Sequence, residues 1–161
     1  MPAIIRRARP ADVAAVLELV IEHAAFERAS ADAEAHALSR AMFGEPPRLL
    51  CWVAEHREAL AGYLTATCEF STWQARPFLH MDCLYLRATA RNQGLGARLM
   101  EALCDHARRA GVGQLQWQTP EWNRAAARFY RRQGARELRK RRFLLQVQTP
   151  PAGGGRAARA R

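Results

Sequence analysis

The residues best suited to chemistry form a short glycine-containing stretch, Arg91-Asn92-Gln93-Gly94-Leu95-Gly96. It follows an apolar, strand-like run and precedes a helical pattern. Glycines at such a point let backbone N–H groups approach an anion, and a helix N-terminus adds partial positive charge. A Gly-x-Gly at a helix start can also be only a turn, so this stretch alone indicates phosphate binding weakly.

Three further side chains are candidates for acid–base chemistry or ligand binding. Asp82 lies in an otherwise apolar run, where a carboxylate is exposed on one face, hydrogen-bonded to neighbouring backbone, or buried for a purpose. Asn123 and Tyr130 are seven residues apart on a predicted helix, which places both on one face. Asn123 also suits a plain helix cap, and Tyr130 suits a core position.

The elements that must position these residues follow from the apolar periodicity. The predicted strands span residues 4–8, 48–54, 59–70, 77–86 and 114–119, and residues 135–148 are predicted to form a last strand or hairpin. The predicted helices span 11–26, 30–41, 95–110 and 123–133. Ser30 is the expected cap of the second helix. This order indicates a single α/β domain over residues 1–148, with a largely antiparallel first half. Residues 149–161 cannot bury a core and are predicted to be a disordered basic tail.

The charge of the chain is divided unevenly between its halves. Residues 1–86 carry eight arginines against eleven acids, a net charge of −3, whereas residues 87–161 carry seventeen basic residues against four acids, a net charge of +13. The second half therefore suits a polyanion. The first half would attract a cation, unless its acids only form solvated helix faces.

Other sequence features narrow the class of protein. The four cysteines are widely spaced without a C-x-x-C pair, so we expect no metal site. Three of them lie in strand-like apolar runs, where we expect buried free thiols. No apolar run approaches the roughly 20 residues of a membrane span, and the N-terminus lacks a signal-peptide pattern. We therefore expect a cytoplasmic protein that does not enter a membrane.

Two motifs resemble those of the GCN5-related N-acetyltransferase (GNAT) family, and the resemblance covers about residues 3–146. Arg91-x-x-Gly94-x-Gly96 is similar to the family's loop for the acetyl-CoA pyrophosphate. Asn123, Phe129-Tyr130 and Gly134-Ala135 are similar to its second cofactor-binding segment. The segments 43–47 (Phe-Gly-Glu-Pro-Pro) and 121–123 (Glu-Trp-Asn) resemble the diamine (spermidine/spermine) acetyltransferase branch.

The resemblance implies a GNAT fold, in which a mixed sheet of six or seven strands is flanked by about four helices. The strands at 77–86 and 114–119 would form a parallel pair that splays apart around the cofactor. The residues that it assigns to acetyl-CoA are Leu84, Tyr85, Leu86, Arg91, Asn92, Gln93, Gly94, Leu95, Gly96, Ala97, Asn123, Phe129, Tyr130 and Arg132. The stripe of Arg124, Arg128, Arg131 and Arg132 would either hold the outer phosphate or form a solvated face.

The implied activity is direct transfer of an acetyl group from acetyl-CoA to a primary amine of a small molecule, such as a diamine, polyamine or basic amino acid. A protonated amine cannot attack, so a base must take its proton. Asp82 occupies the position of the branch's glutamate, one methylene shorter, which favours a water relay. Tyr130 matches the acid that protonates the CoA thiolate. Glu27, Trp73 and Asp82 are the expected amine-binding residues, although the acid expected two residues before Trp73 is Ser71.

Homodimers are common in this group, so a homodimer is implied, and no metal is required. Three alternatives remain open. An enzyme of the same fold could modify a protein N-terminus or lysine. A nucleic-acid-binding protein could use the basic half, although the arginine run at 139–142 lacks interleaved aromatics, which disfavours this interpretation. A regulator could bind the cofactor without catalysis.

Overall fold

A five-stranded sheet separates two layers of helices in the computed structural model, which describes residues 3–147. The strands are β1 (Ile4–Arg7), β2 (Leu50–His56), β3 (Ala59–Ser71), β4 (Arg76–Leu86) and β5 (Leu115–Gln116), in that spatial order. The helices are α1 (Val13–Phe26), α2 (Ala35–Phe43), α3 (Leu95–Arg109) and α4 (Arg124–Arg132). Short 3-10 turns at Pro10–Asp12 and Ala88–Ala90 lead into α1 and toward α3.

The sheet is mixed, as the sequence predicted. Strands β1 to β4 pair antiparallel, and β4 pairs parallel with β5. The parallel ladder is only two residue pairs long, Leu79 with Leu115 and His80 with Gln116. The predicted hairpin between β2 and β3 is also present, and its turn residues Arg57 and Glu58 both have positive φ.

Alternation along the central strands builds two cores, because successive side chains point to opposite faces of a sheet. Cys51, Val53 and Tyr63 pack on one face with the buried residues of α1. Trp52 and Leu64 pack on the other face with the buried residues of α3. Helix α1 therefore lies on the opposite side of the sheet from α3.

The prediction of a last strand or hairpin at residues 135–148 is wrong for the residues that the structure describes. Residues 135–147 form no ladder, so the described sheet has five strands and not six or seven. The basic run at 139–142 interrupts the apolar pattern. Phe143, Leu144, Leu145 and Val147 are 74–87% exposed. Their residue types favour a strand, but no strand within residues 3–147 pairs with them.

Two boundaries also differ from the prediction. Helix α2 begins at Ala35 with Glu34 at its N-cap position, so Ser30 does not cap it. Strand β5 ends at Gln116 and does not continue to residue 119. Residues 148–161, including the tail predicted to be disordered, lie outside the described residues, and the domain boundary at 148 stays a prediction. None of the helices within residues 3–147 is long and apolar enough to cross a membrane.

Candidate active site

The N-terminus of α3 is open, as the glycine stretch predicted. Gly94 occupies the N-cap position with φ of 75°, and Asn92 is also left-handed with φ of 61°. No described side chain caps this end of α3, and the first N–H groups of a helix have no partner within it. Asn92, Gln93 and Gly94 are exposed, whereas the Leu95 side chain is buried and offers only its backbone. This arrangement suits an anion.

Helix α4 closes against this loop. A Cβ atom at Gly96 would lie 3.2 Å from Phe129 Cζ and 3.7 Å from Leu86 Cδ1, so a side chain there would crowd the contact. Gly96 and Ala97 are both half-buried. The Asn123 side chain caps α4 by accepting a hydrogen bond from Ala126 N–H at 3.1 Å. Its role toward a cofactor stays a prediction.

Arg91 is fixed in place between β4 and α1. Its Nε donates to Leu86 O at 2.9 Å, and its guanidinium lies 4.6 Å from the Phe26 ring centre and 5.6 Å from that of Tyr85. Such cation–π contacts orient the charge without neutralising it. Arg98, in contrast, donates to Ala3 O at 2.9 Å and ties the first described residue to α3.

One edge of β4 is open beside the loop. Leu84, Tyr85 and Leu86 pair with β3, but the ladder to β5 stops at His80. Beyond His80, therefore, neither β5 nor any other described strand pairs with the second edge of β4. The predicted splay is confirmed. An open strand edge can accept an extended, amide-containing chain by backbone hydrogen bonding.

Asp82 is the extra residue of a β-bulge. Met81 pairs with Ala66 and Cys83 pairs with Thr65, which leaves Asp82 without a partner in the register. A bulge redirects one side chain and is common beside active sites. The Asp82 carboxylate is accordingly exposed rather than buried in the core, and its Oδ2 lies 3.7 Å from the Cys83 thiol.

Tyr130 of α4 lies in an aromatic cluster with Trp117 and Phe129. Its ring centre is 5.1 Å from that of Trp117 and 5.2 Å from that of Phe129. Burial, with smaller contributions from the Glu27 carboxylate and the Cys83 thiol, raises the pKa of Tyr130 to about 12. Tyr130 therefore keeps its proton at neutral pH and lies close to both Glu27 and the bulge.

The sequence analysis missed His23, which lies on α1 and contacts tyrosines of β3 and β4. Its Nδ1 is 3.1 Å from Tyr63 Oη, its Nε2 is 3.4 Å from Glu27 Oε1, and its ring stacks on Tyr85 with centres 5.2 Å apart. On the sequence, His23 is one polar residue within the helical pattern of α1. The one available signal was its spacing of four residues from Glu27, which places both on one helix face.

The comparisons with known proteins agree with this geometry. A sequence model described as "Acetyltransferase (GNAT) family" matches residues 15–135, three quarters of the chain. The chain belongs to the GNAT family. Its fold and its relatives identify this GNAT protein as an N-acetyltransferase, in a family that uses acetyl-CoA as co-substrate.

Individual relatives extend this assignment. The GNAT chain is 30% identical over 144 residues to thialysine N-epsilon-acetyltransferase of Bos taurus, covering 83% of the chain and 84% of that protein. It is 26% identical over 84 residues to L-ornithine N5-acetyltransferase of Arabidopsis thaliana, covering 52% and 37%. A solved aminoglycoside acetyltransferase from a soil metagenome superposes with a TM-score of 0.77 at 19% identity, covering 91% and 97%, which shows a shared fold.

The GNAT structure does not bring every predicted site residue together. Trp73 is 97% exposed on the turn between β3 and β4. Asp82 is six residues from the start of β4, or ~20 Å along an extended strand, so Trp73 lies far from it within one chain. Arg124, Arg128 and Arg132 are exposed on α4. Arg131 pairs with Glu137 and is the one member of this stripe with an ion pair inside residues 3–147.

No group of three His, Cys, Asp or Glu side chains within residues 3–147 is arranged to hold a metal ion. The cysteines in this part of the GNAT chain are free thiols. Of the three cysteines on strands, Cys51 is buried, as expected, Cys83 is half-buried, and Cys68 is exposed, so the expectation of burial is wrong for Cys68.

Proposed function

We propose that this N-acetyltransferase moves an acetyl group from acetyl-CoA to the primary amine of a small cationic molecule. The observation that carries the proposal is the convergence of four features at one end of β4. These are the open edge at residues 84–86, the uncapped N-terminus of α3, the Asp82 bulge, and the protonated Tyr130 beside Glu27.

The donor side would use backbone groups more than side chains. The N–H groups at Gly94, Leu95, Gly96 and Ala97 would hold the pyrophosphate, assisted by the fixed charge of Arg91. The open β4 edge at Leu84, Tyr85 and Leu86 would pair with the amide-bearing arm of the coenzyme. Asn92, Gln93, Asn123, Phe129 and Arg132 would complete this side, with α4 lying over the loop.

The acceptor side carries negative charge. Asp82 and Glu27 would attract an ammonium group. Glu27 acts on the charge of both Tyr130 and His23, and Asp82 on that of His23. The names of the relatives point the same way, because thialysine and ornithine are amino acids with a primary amine at the end of the side chain. We therefore favour a basic amino acid or a diamine over a larger acceptor.

The chain's own groups account for both proton transfers. Asp82, directly or through a water molecule, would take one proton from the ammonium, so that the nitrogen regains its lone pair for attack on the thioester carbon. Tyr130 would donate its proton to the departing sulfur, and its raised pKa keeps that proton available at neutral pH. The C–N bond forms as the C–S bond breaks. The nitrogen then gives up a second proton, which restores the Tyr130 hydroxyl, and the proton held by Asp82 is the one released overall.

Trp73 and the oligomeric state belong to the same proposal. Because Trp73 lies ~20 Å along the hairpin from the bulge, it would contact the amine only from a second copy of the chain. We therefore propose a homodimer in which the β3–β4 turn of one chain approaches the site of the other. The cytoplasmic location stays a prediction from the sequence.

A thiol-release assay tests the proposal directly. Purified protein and acetyl-CoA would be combined with thialysine, lysine, ornithine, putrescine, spermidine, an aminoglycoside and lysine-containing peptides. We expect the highest kcat/KM for a small molecule with a terminal primary amine. Preference for a peptide would favour the protein-modifying alternative. Tight acetyl-CoA binding without turnover on any amine would favour a regulator and would contradict the proposed activity.

A further inference from the structure

Arg28 follows the last turn of α1 in a backbone conformation that favours glycine. Its φ is 62°, in the left-handed region. The helix closes around it in the Schellman pattern, because Arg28 N–H donates to Ala25 O at 3.1 Å and Ala29 N–H donates to Ala24 O at 2.9 Å. Glycine or asparagine usually occupies this position, since a Cβ atom disfavours a left-handed backbone. An arginine held there indicates a use for its side chain.

The Arg28 side chain reaches from α1 to the segment before α4. Its guanidinium carbon lies 4.9 Å from the ring centre of Trp122. Trp122 packs on Phe26 with ring centres 5.9 Å apart, and Phe26 packs on Tyr85 of β4 at 6.2 Å. Trp122 is 43% exposed and Phe26 is 39% exposed, so this aromatic group lies at the surface. It joins Arg28 to the part of β4 that has an open edge.

The carboxylates proposed to hold the ammonium lie on the same side of the sheet as Arg28. Asp82 Oδ2 is 3.7 Å from the thiol of Cys83, whose side chain packs against the core on the α1 side. Glu27 directly precedes Arg28, and its Oε1 is 3.4 Å from His23 Nε2. The positive charge of Arg28 therefore adjoins the negative charge of the acceptor side.

The N–H groups of the Arg28 guanidinium are available to a ligand. Within residues 3–147 this side chain forms neither an ion pair nor a hydrogen bond, and it contacts the face of Trp122. Arg87, in contrast, pairs with Glu22. Stacking uses the flat face of a guanidinium and leaves the donors at its edge free. Such an edge can bind a carboxylate through two parallel hydrogen bonds.

Charge distinguishes the two kinds of acceptor that the proposed function allows. A diamine carries two ammonium groups, and Arg28 would repel the second of them. A basic amino acid also carries an α-carboxylate, which Arg28 would attract. Arg91 strengthens the same preference, because its guanidinium lies 4.6 Å from the ring centre of Phe26 and adds a second positive charge to this aromatic group.

We propose that Arg28 binds the α-carboxylate of the acceptor and thereby selects a basic amino acid over a diamine. This deepens the proposed function and rests on it. The side-chain ammonium of the acceptor lies against Asp82 and Glu27, and its α-carboxylate accepts hydrogen bonds from the edge of the Arg28 guanidinium. Trp122 holds the face of that guanidinium, so the charge is oriented before the substrate binds. Arg28 determines specificity and takes no part in proton transfer.

Pairs of substrates that differ by one carboxylate test this role. We compare kcat/KM for lysine with that for cadaverine, and kcat/KM for ornithine with that for putrescine. The wild type should prefer each amino acid by about ten-fold or more, as expected for hydrogen bonds to a charged group. In Arg28→Gly each ratio should fall by about ten-fold, through KM more than kcat. Unchanged ratios, or a wild type that prefers the diamines, would overturn the inference.

Glycine at residue 28 separates ligand binding from folding. Because glycine suits the left-handed φ, Arg28→Gly should keep the Tm of the wild type, and its lost selectivity is then not a folding defect. Arg57→Gly is the matched control, since Arg57 also has a left-handed φ, of 50°, and lies on the turn between β2 and β3. Its ratios should equal those of the wild type. An equal fall in both variants would overturn the specific role of Arg28.

Reversal of the charge gives a second, independent result. Arg28→Glu should prefer cadaverine to lysine, because the new carboxylate repels one substrate and attracts the other. A retained preference for lysine would overturn the inference. Isothermal titration of lysine and of cadaverine into the CoA-bound wild type measures the preference without turnover, and equal affinities would also overturn it.

Failure of this inference can be told from failure of the proposed function. A wild type that acetylates none of these amines would overturn the proposed function, and the inference with it. An active wild type whose ratios do not change in Arg28→Gly would overturn the role of Arg28 alone.

Discussion

Gly96 and Phe129 meet so closely that the packing of α4 on the first turn of α3 depends on the absence of a side chain at residue 96. A Cβ atom on Gly96 would lie 3.2 Å from Phe129 Cζ, tighter than an ordinary van der Waals contact. The neighbours of both residues are predicted donor-binding groups. The contact therefore couples the two segments that would hold acetyl-CoA.

Gly96→Ala should weaken acetyl-CoA binding by about ten-fold, because a shift of part of an ångström in Phe129 moves α4 relative to the loop. Isothermal titration with acetyl-CoA measures this. Gly113→Ala is the matched control, since nothing lies within 4 Å of a Cβ there and its φ is not in the left-handed region. Equal affinity of the two variants would refute the coupling.

Tyr130→Phe should lower kcat by about 100-fold or more, because the ring stays in its aromatic cluster while the proton for the sulfur is lost. Acetyl-CoA affinity should change little, since the phosphate-binding groups are untouched. Single-turnover thiol release and equilibrium binding measure the two effects separately. Wild-type kcat over the whole pH range would exclude Tyr130 as the acid.

Asp82→Asn should lower kcat/KM for the amine by about 100-fold at pH 7, because the amide cannot accept the ammonium proton. Asp82→Glu is the informative comparison, because it keeps the carboxylate and adds one methylene. The side chain then has the length of the glutamate in the diamine acetyltransferase branch that the sequence resembles. We expect it to retain most activity. If both substitutions were equally damaging, the bulge position itself, rather than the carboxylate, would be what matters.

Asp12→Asn should reduce the free energy of unfolding by about 2 kcal/mol at pH 7. Arg6 donates two hydrogen bonds to Asp12, at 2.7 and 2.9 Å, and this contact chiefly lowers the pKa of that carboxyl. Because the pKa of this carboxyl is lower in the folded than in the unfolded state, the carboxylate stabilises the fold above the unfolded pKa of about 3.9. This stabilisation is lost as the pH falls through the folded pKa.

Denaturant unfolding at pH 7 and pH 3 tests this sign. The difference between wild type and Asp12→Asn should shrink toward pH 3, because the wild-type carboxylate is then being protonated. Asp105→Asn is a suitable control, since its pair with Arg108 is exposed and within one helix. A difference that grows at low pH would show that the Arg6 contact does not act through charge.

The sequence predicted those parts of the site that depend on local chain chemistry. The Gly94 turn and the Asn123 cap follow from residue type and position, and the splay after His80 was implied by the family resemblance. The bulge at Asp82 could not be predicted, because a single unpaired residue depends on how β3 and β4 align and leaves no trace in apolar periodicity.

His23 was missed for a related reason. Its hydrogen bonds run to Tyr63, 40 residues away, so its chemistry arises only when α1 packs on the sheet. At residues 135–148 the error was the reverse, because the sequence predicted a strand that the described residues do not form. An apolar pattern such as Phe143, Leu144 and Leu145 shows that a segment can pair, but pairing also requires a neighbouring edge, which the pattern does not specify.

The short ladder between β4 and β5 has a thermodynamic consequence. Only two residue pairs join β4 to β5, so pairing between these two strands adds little to the stability of the sheet. A donor molecule bound between β4 and β5 would connect them. A ligand at 100 times its Kd adds ~2.7 kcal/mol to the free energy of unfolding. Resistance to heat and proteolysis would then follow the acetyl-CoA supply, and the protein would persist longest where its donor is abundant.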